Sequence, residues 1–132
     1  MLLLRMWWLP LCWPTLLQAA PSYHFRQPPG TVLGTPATDL LDAGERAFLA
    51  RAPVLRVGLN LPDNRPYEVI ADNGAISGIQ VELLTHVAQA LGLRLQPVVL
   101  ASFPDTLAAL RERRVDLMAT VGYDPGREGY LS

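Results

Sequence analysis

The last part of the sequence carries the residues best suited to bind a small anion. The run 115–121 is nearly all apolar and predicts a buried strand, and residues 122–127 follow as a turn and the start of a helix. Backbone N–H groups at a helix start point outward, where the helix dipole is positive. The guanidinium of Arg127 adds a planar fork that fits a carboxylate. From spacing alone, Arg127 could equally be a solvated helix residue.

No other side chains have the spacing of a catalytic or metal site. Glu68 and Glu82 form no evident acid–base pair, and the sequence has neither a Ser/His/Asp elbow nor a glycine-rich phosphate loop. His24 and His86 are isolated from cysteines and from paired acids, so a metal site is not expected. We predict no catalytic residue, no metal and no cofactor for this chain.

Length and charge narrow the class of protein further. The 132 residues suffice for one small domain or a part of a larger one. The net charge is −1, and all 11 basic residues are Arg. This balance gives no reason to expect nucleic acid or an anionic membrane surface as a partner.

Residues 1–20 have the order of a secretory signal peptide. Arg5 follows the start, the run 6–17 is mostly apolar, and Gln18-Ala19-Ala20 comes next. The apolar run is too short to span a bilayer comfortably, although an uncleaved anchor is an alternative. We predict export to the periplasm. The single cysteine, Cys12, lies inside this segment, so the exported chain would have no disulfide.

Residues 21–92 predict a lead-in segment followed by the first strand, a hairpin and two helices. Residues 21–41 include a proline-rich stretch without apolar periodicity and are expected to be flexible. Asp42 and Glu45 fit a capping box that starts a helix to about Arg51. A strand follows over 54–59, and the turn 72–74 predicts a hairpin. The longest helix is expected over 79–91, ended by Gly92. Its predicted apolar face repeats every four residues, at Ile79, Leu83, Val87 and Leu91, with Leu84 and Ala88 beside them.

The second half repeats the strand–helix alternation. A strand is expected over 94–99, where Pro97 favours an edge position. Ser102 and Asp105 can cap a helix that runs to about Arg113, before the strand 115–121. We therefore predict an α/β fold in which a βαβαβ unit forms a parallel sheet, in the order 2-1-3 with right-handed crossovers, plus a small hairpin.

Ligands of such sheets bind beyond the carboxyl ends of the strands. In this sequence those ends lie at 60–67 and 122–127. The candidate ligand-binding residues at or next to them are Asn60, Tyr67, Thr120, Gly122, Asp124 and Arg127. Tyr67 could instead be a core aromatic. Asp124 could serve as a structural helix cap, because its carboxylate would repel an anionic ligand.

From Glu45 onward the sequence resembles the first lobe of family 3 periplasmic solute-binding (Venus flytrap) domains, which have a type II periplasmic-binding-protein fold. The matching pieces occur in the family's order over about ninety residues. They are Leu55-Arg56-Val57-Gly58, Arg65-Pro66-Tyr67-Glu68, Gly78-Ile79-Gln80-Val81-Glu82-Leu83, Ala90-Leu91-Gly92-Leu93, Val115-Asp116-Leu117 and Asp124-Pro125-Gly126-Arg127.

The resemblance implies a role for several residues. The family's carboxylate-binding arginine falls on Arg127, and the aromatic that packs on the ligand falls on Tyr67. Asp124 stands where the family has a capping hydroxyl, and Gly122 and Tyr123 stand where it has a ligand-binding Ser or Thr. The ligand would be a small molecule such as an amino acid or another carboxylate.

Two further segments, 45–51 and 127–132, look like the flytrap domains in front of BvgS/EvgS-type hybrid sensor histidine kinases. The resemblance then implies an incomplete first lobe over 42–132, whose second lobe is missing and whose parent reaches the membrane only through a missing downstream segment. The chain itself would not be an enzyme, although its parent could be a histidine kinase. The alternatives are a substrate-binding subunit of an ABC transporter for amino acids and, further off, the binding domain of a lytic transglycosylase.

Overall fold

The computed structural model describes residues 21–26, 37–51 and 54–129. The predicted signal peptide, with Cys12, lies outside the described residues. None of the helices in the described ranges is long and apolar enough to cross a membrane.

The described chain contains six strands and three α-helices. In chain order they are β1 (His24–Phe25), α1 (Ala43–Arg51), β2 (Leu55–Asn60), β3 (Val69–Ile70), β4 (Ala75–Ser77), α2 (Ile79–Ala90), β5 (Leu95–Leu100), α3 (Phe103–Arg111) and β6 (Leu117–Met118). Two single 3-10 turns lie at Ala37–Leu40 and Pro125–Arg127.

The main sheet is parallel and has the order β5–β2–β6. This confirms the predicted order 2-1-3, and β5, which contains Pro97, lies at an edge as expected. The third strand is much shorter than the predicted 115–121, since only Leu117 and Met118 pair with β2. Val115 is buried just before the strand, and Leu117 and Met118 are only half-buried. Among the described residues β6 pairs with β2 alone, so it lies at an edge of the sheet, as the order 2-1-3 requires. The prediction of a buried strand over 115–121 is wrong at Leu117 and Met118.

A second, smaller sheet has the order β1–β4–β3. The β3–β4 hairpin turns at 72–74 as predicted, with Gly74 at φ +82°. The strand β1 pairs in parallel with β4, and the His24 N–H donates to the Gly74 carbonyl at 3.0 Å. This strand was not predicted from the sequence, because two residues in a proline-rich stretch show no alternation.

Local capping explains where the helices begin. In α1 the Asp42 N–H donates to Glu45 at 2.8 Å, and the Glu45 N–H donates to Asp42 at 2.7 Å, which is the predicted capping box. The Ser102 hydroxyl caps α3 by accepting from the Asp105 N–H. Gly92, at φ +68°, follows the end of α2, as expected of a helix stop.

The helix α2 turns a different face to the core than its four-residue apolar repeat suggests. Leu83 is 65% exposed, and Ile79 and Val87 are also exposed, whereas Val81, Thr85 and Ala88 are buried. The rotation of the helix is set at its first turn, where the N–H groups of Ile79 and Gln80 donate to the carbonyls of Pro66 and Tyr67. The predicted apolar face is therefore wrong at these three exposed residues.

The central strand β2 contributes to the core through both of its faces. Val57 and Leu59 pack with Ile76 and Val81 on one face. On the other face, a Cβ at Gly58 would lie 2.7 Å from the Thr106 methyl and 3.2 Å from Val115. Only glycine allows α3 to approach β2 this closely, and this approach places the start of α3 beside the carboxyl end of β2.

Candidate functional site

Two adjoining cavities lie at the carboxyl ends of β2 and β6. The first, which we call the strand-end cavity, has a volume of about 280 Å³. Its lining residues are Asn60, Asn64, Glu68, Phe103, Thr120, Val121 and Gly122. The second, the arginine cavity, measures about 260 Å³ and is lined by Val121, Gly122, Tyr123, Asp124, Arg127 and Glu128. Val121 and Gly122 belong to both, so the two cavities are neighbours.

A larger cavity of about 510 Å³ lies elsewhere, against β1, α2 and the amino-terminal half of β5. Strand carboxyl ends are the usual ligand position in open α/β sheets. We therefore assign the candidate site to the two cavities at the ends of β2 and β6 and not to the larger one.

Arg127 is engaged by groups of its own segment. Its Nη1 donates to the Gly122 carbonyl at 3.1 Å, and its Nη2 lies 3.4 Å from the Asp124 carboxylate. Its guanidinium carbon lies 5.4 Å from the centre of the Phe103 ring, within cation–π range. Arg127 thus lies at the predicted place and has an acidic neighbour in Asp124, in a pair that is partly open to water.

The predicted helix start is a 3-10 turn of three residues, Pro125–Arg127. Its first free N–H, that of Gly126, donates to the Asp124 carboxylate at 2.8 Å, and the Arg127 N–H donates to the Asp124 carbonyl. The predicted start of an α-helix is therefore a 3-10 turn in the described residues, and the Gly126 N–H that was predicted to face an anion donates to Asp124. Asp124 acts as an N-cap, the structural alternative considered for this residue.

Glu68 is the most unusual group of the strand-end cavity, because it is a carboxyl residue only 5% exposed. Its backbone N–H and that of Tyr67 both donate to the Asn64 carbonyl, which closes the loop before β3. Burial raises the pKa of the Glu68 carboxyl, and a hydrogen bond with the Thr120 hydroxyl offsets part of that rise.

A short polar chain runs from Glu68 across the end of β6 to α2. The Thr120 hydroxyl donates to Gln80 Oε1 at 2.7 Å and also contacts the Glu68 carboxyl. A hydroxyl has one proton to donate, so Gln80 and the Glu68 carboxyl compete for the proton of Thr120.

Asn60 and Tyr67 differ in where the structure places them. Asn60 lines the strand-end cavity, and its Nδ2 donates to the Pro62 carbonyl at 3.2 Å. Tyr67 is 45% exposed and lines neither of the two cavities. Its carbonyl, by contrast, is tightly enclosed, since a Cβ at Gly78 would lie 2.4 Å from it.

The described side chains do not form a metal site. Among the described residues there is no group of three or more His, Cys, Asp or Glu side chains that could hold a metal ion.

The sequence profile of the bacterial extracellular solute-binding proteins, family 3, matches residues 55–132, which include both cavities. The chain belongs to this family. One relative is similar over 64% of the chain. The amino-acid-binding protein AabA of Dichelobacter nodosus is 35% identical over 86 residues, which cover 64% of this chain and 34% of AabA.

Two sensor proteins are similar as well. The virulence sensor protein BvgS of Bordetella pertussis is 29% identical over 91 residues, or 69% of this chain and 7% of BvgS. The crystal structure of its periplasmic domain superposes with a TM-score of 0.61 at 28% identity, over 70% of this chain and 18% of that one. A histidine kinase sensor domain similar to periplasmic binding proteins superposes at 0.53 and 28% identity, over 59% of this chain and 33% of that one. The chain thus spans about a third of AabA and a small part of BvgS.

The family 3 fold brings together most of the predicted binding residues. Asn60, Thr120 and Gly122 share the strand-end cavity, and Gly122, Asp124 and Arg127 share the arginine cavity. Six lining residues were not predicted as ligand-binding, namely Asn64, Glu68, Phe103, Val121, Tyr123 and Glu128. The position of Phe103 could have been found from the sequence, because it starts the helix just beyond the carboxyl end of β5. The enclosure of Glu68 depends on the loop that folds over it.

Proposed function

We propose that this chain is the first lobe of a periplasmic solute-sensing domain that serves a two-component sensor kinase. The observation that carries the proposal is the superposition on the BvgS periplasmic domain over 70% of the chain. The histidine kinase sensor domain adds a second relative with the same fold. In this proposal residues 1–20 are a signal peptide, residues 21–41 lead in, and the lobe begins at 42.

In the proposed mechanism a small solute binds at the carboxyl ends of β2 and β6 and is enclosed by a second lobe. Asn60, Thr120 and Gly122 would contact it from the strand-end cavity, and Asp124 and Arg127 from the neighbouring one. Tyr67 would reach it from its exposed position on the rim. Closure of two lobes around a solute changes the conformational equilibrium of whatever is attached behind them. The chain would sense and not catalyse, and any phosphotransfer would belong to the kinase.

The second candidate is a substrate-binding subunit of an ABC transporter. It is favoured by the 35% identity to the amino-acid-binding protein AabA. Both candidates predict solute binding, so binding alone does not separate them.

The reading frame beyond Ser132 separates the two functions. The sensor proposal expects a second lobe, then a membrane-spanning helix and histidine kinase motifs. A stop codon directly after a second lobe would overturn it in favour of the transporter subunit. The functional measurement is autophosphorylation of the full-length protein in membrane vesicles, with and without a solute that raises its melting temperature. The sensor proposal expects the solute to change the phosphorylation level, and the same level in both samples would contradict it.

A further inference from the structure

We propose that the solute of this site is an amine that lacks a carboxylate and whose ammonium group binds beside Glu68 in the strand-end cavity. This inference rests on the proposed function, because it names the class of solute that the lobe takes. It departs from the expectation of an amino acid or another carboxylate, for which Arg127 was the predicted partner.

The guanidinium of Arg127 already has an acidic neighbour. The guanidinium lies 3.4 Å from the Asp124 carboxylate and donates to the Gly122 carbonyl, and it also faces the Phe103 ring. The Asp124 carboxylate also accepts from the Gly126 N–H at 2.8 Å, which favours its place beside the guanidinium although its side chain is 47% exposed. A solute carboxylate at Arg127 would lie next to the Asp124 carboxylate, and like charges at this distance repel.

Glu68 is the acidic residue in the wall of the strand-end cavity. Its carboxyl is buried in the wall of the cavity, and no Lys, Arg or His is among the residues that line this cavity. A buried carboxylate needs a countercharge. An ammonium group placed in the cavity supplies one, while Asn60 and Asn64 offer amide oxygens for its remaining N–H bonds.

Thr120 also supports an ionised Glu68. The hydrogen bond with the Thr120 hydroxyl lowers the pKa of Glu68, against the rise that burial causes. An ammonium group beside the carboxyl favours the ionised form further, because opposite charges attract. The carboxylate would then accept from the ammonium as well as from Thr120.

The apolar wall and the size of the cavity fit a small alkylamine. Phe103 and Val121 line the cavity together with the polar groups, and its volume is about 280 Å³. Small-molecule sites typically pair an apolar wall with a few placed polar groups.

Matched pairs of compounds test the inference on the full-length protein, including any segment that its gene encodes beyond Ser132. Isobutylamine and valine differ only by a carboxylate, as do agmatine and arginine. Isothermal titration calorimetry should show that the amine of at least one pair binds tenfold or more tightly than its amino acid. Glutarate serves as a probe with carboxylates alone.

The outcomes distinguish the inference from the function on which it rests. If valine, arginine or glutarate binds as tightly as the amines or more tightly, the inference is overturned and the solute-binding function stands. If none of the five compounds binds or shifts the melting temperature, the inference is overturned, whereas the solute-binding function fails only if no small solute shifts the melting temperature.

Two variants test which residues set the preference for amines over amino acids. Glu68→Gln removes the countercharge and should weaken amine binding at least tenfold, whereas unchanged amine binding would contradict the inference. Asp124→Thr frees the guanidinium of Arg127 and should raise the affinity for valine or arginine relative to the amine. An unchanged ratio of affinities in this variant would contradict the assigned role of Asp124.

If Glu68→Gln fails to fold, the pH dependence of amine binding by the wild-type protein tests the inference instead. The affinity for the amine should fall as the pH is lowered through the raised pKa of Glu68, because the protonated carboxyl no longer attracts an ammonium. Charged groups on the neighbouring elements include the Asp63–Arg65 pair, the Asp124–Arg127 pair, Glu128, Glu82 on α2 and Asp105 on α3. An affinity that stays constant down to the ordinary pKa of 4.5 would overturn the inference.

Discussion

At the scale of single residues, Glu68 connects the stability of the protein to pH. Burial raises its pKa above the ordinary value of 4.5, so the native state binds this proton more tightly than the unfolded state does. The stabilisation from Glu68 is then complete below the ordinary pKa and is lost as the pH rises through the raised one.

Glu68→Gln should therefore raise the melting temperature at pH 7 and leave it nearly unchanged at pH 4. The amide resembles the protonated carboxyl in shape, but it does not ionise, so the benefit is confined to the higher pH. Differential scanning calorimetry across this range measures the difference, with Glu82→Gln on the exposed side of α2 as the control. A benefit of equal size at both pH values would contradict a raised pKa.

At the scale of elements, the start of α2 depends on Gly78, which also packs against the backbone of Tyr67. Gly78 has a φ of +119°, a region that other residues rarely adopt, and a Cβ there would lie 2.4 Å from the Tyr67 carbonyl oxygen. The turn from β4 into α2 therefore strongly favours glycine at position 78.

Gly78→Ala should lower the free energy of unfolding by more than about 2 kcal/mol, because strain of about 1–2 kcal/mol adds to the clash with the Tyr67 carbonyl. Gly92→Ala is the matched control. Its φ is also positive, at +68°, but a Cβ would meet no atom within 4 Å, so it should cost only about 1 kcal/mol. Urea denaturation of both variants measures the two values, and equal costs would argue against the close contact.

The rotation of α2 gives a second test at this scale. Val81→Ala should cost about 2 kcal/mol, because it removes two buried methyl groups and leaves a cavity. Leu83→Ala removes a larger side chain but should change the free energy of unfolding by less than about 0.5 kcal/mol, since Leu83 is exposed. The reverse order in urea denaturation would mean that the four-residue repeat does face the core.

These elements also show what the sequence could and could not predict. The capping box at Asp42, the turn at Gly74 and the alternation of strands and helices are local signals, and each was confirmed. The face of α2 and the strand β1 depend on contacts between segments far apart in the chain. The same holds for the site, where the strand-end rule located Asn60 and Thr120 but local patterns could not show that Glu68 is enclosed.

At the scale of the whole molecule, one ion pair joins the centre of the main sheet to its last strand. The Asp116 carboxylate accepts from the Arg56 N–H at 2.7 Å and from its guanidinium at 2.8 and 3.0 Å. Arg56 also donates to the Arg113 carbonyl at 2.7 Å. The short β6 therefore keeps its register through this side chain as well as through its own ladder.

Asp116→Ala should lower the free energy of unfolding at pH 7 by roughly 1 kcal/mol, since a backbone N–H and a guanidinium lose their acceptor at a site that is partly open to water. The hydrogen bonds from Arg56 hold the pKa of Asp116 below its ordinary value of 3.8. Its contribution is thus present above that value and is lost as the pH falls through the lowered pKa. Urea denaturation at pH 7 and in acid should show the deficit shrinking in acid. Asp116→Asn, which keeps an oxygen for the Arg56 N–H, should lose less.

The order of the main sheet has a consequence for synthesis. A ribosome releases β2 first, yet β2 is the central strand, so Leu55 must wait for Leu95 and Val57 must wait for Leu117 before either edge can pair. Pairings between residues so distant in sequence form slowly, and an unpaired apolar strand invites aggregation. In the nascent chain up to about α3, β2 therefore has β5 available on one edge while its other edge waits for β6, and this interval is when a holding chaperone would be most needed.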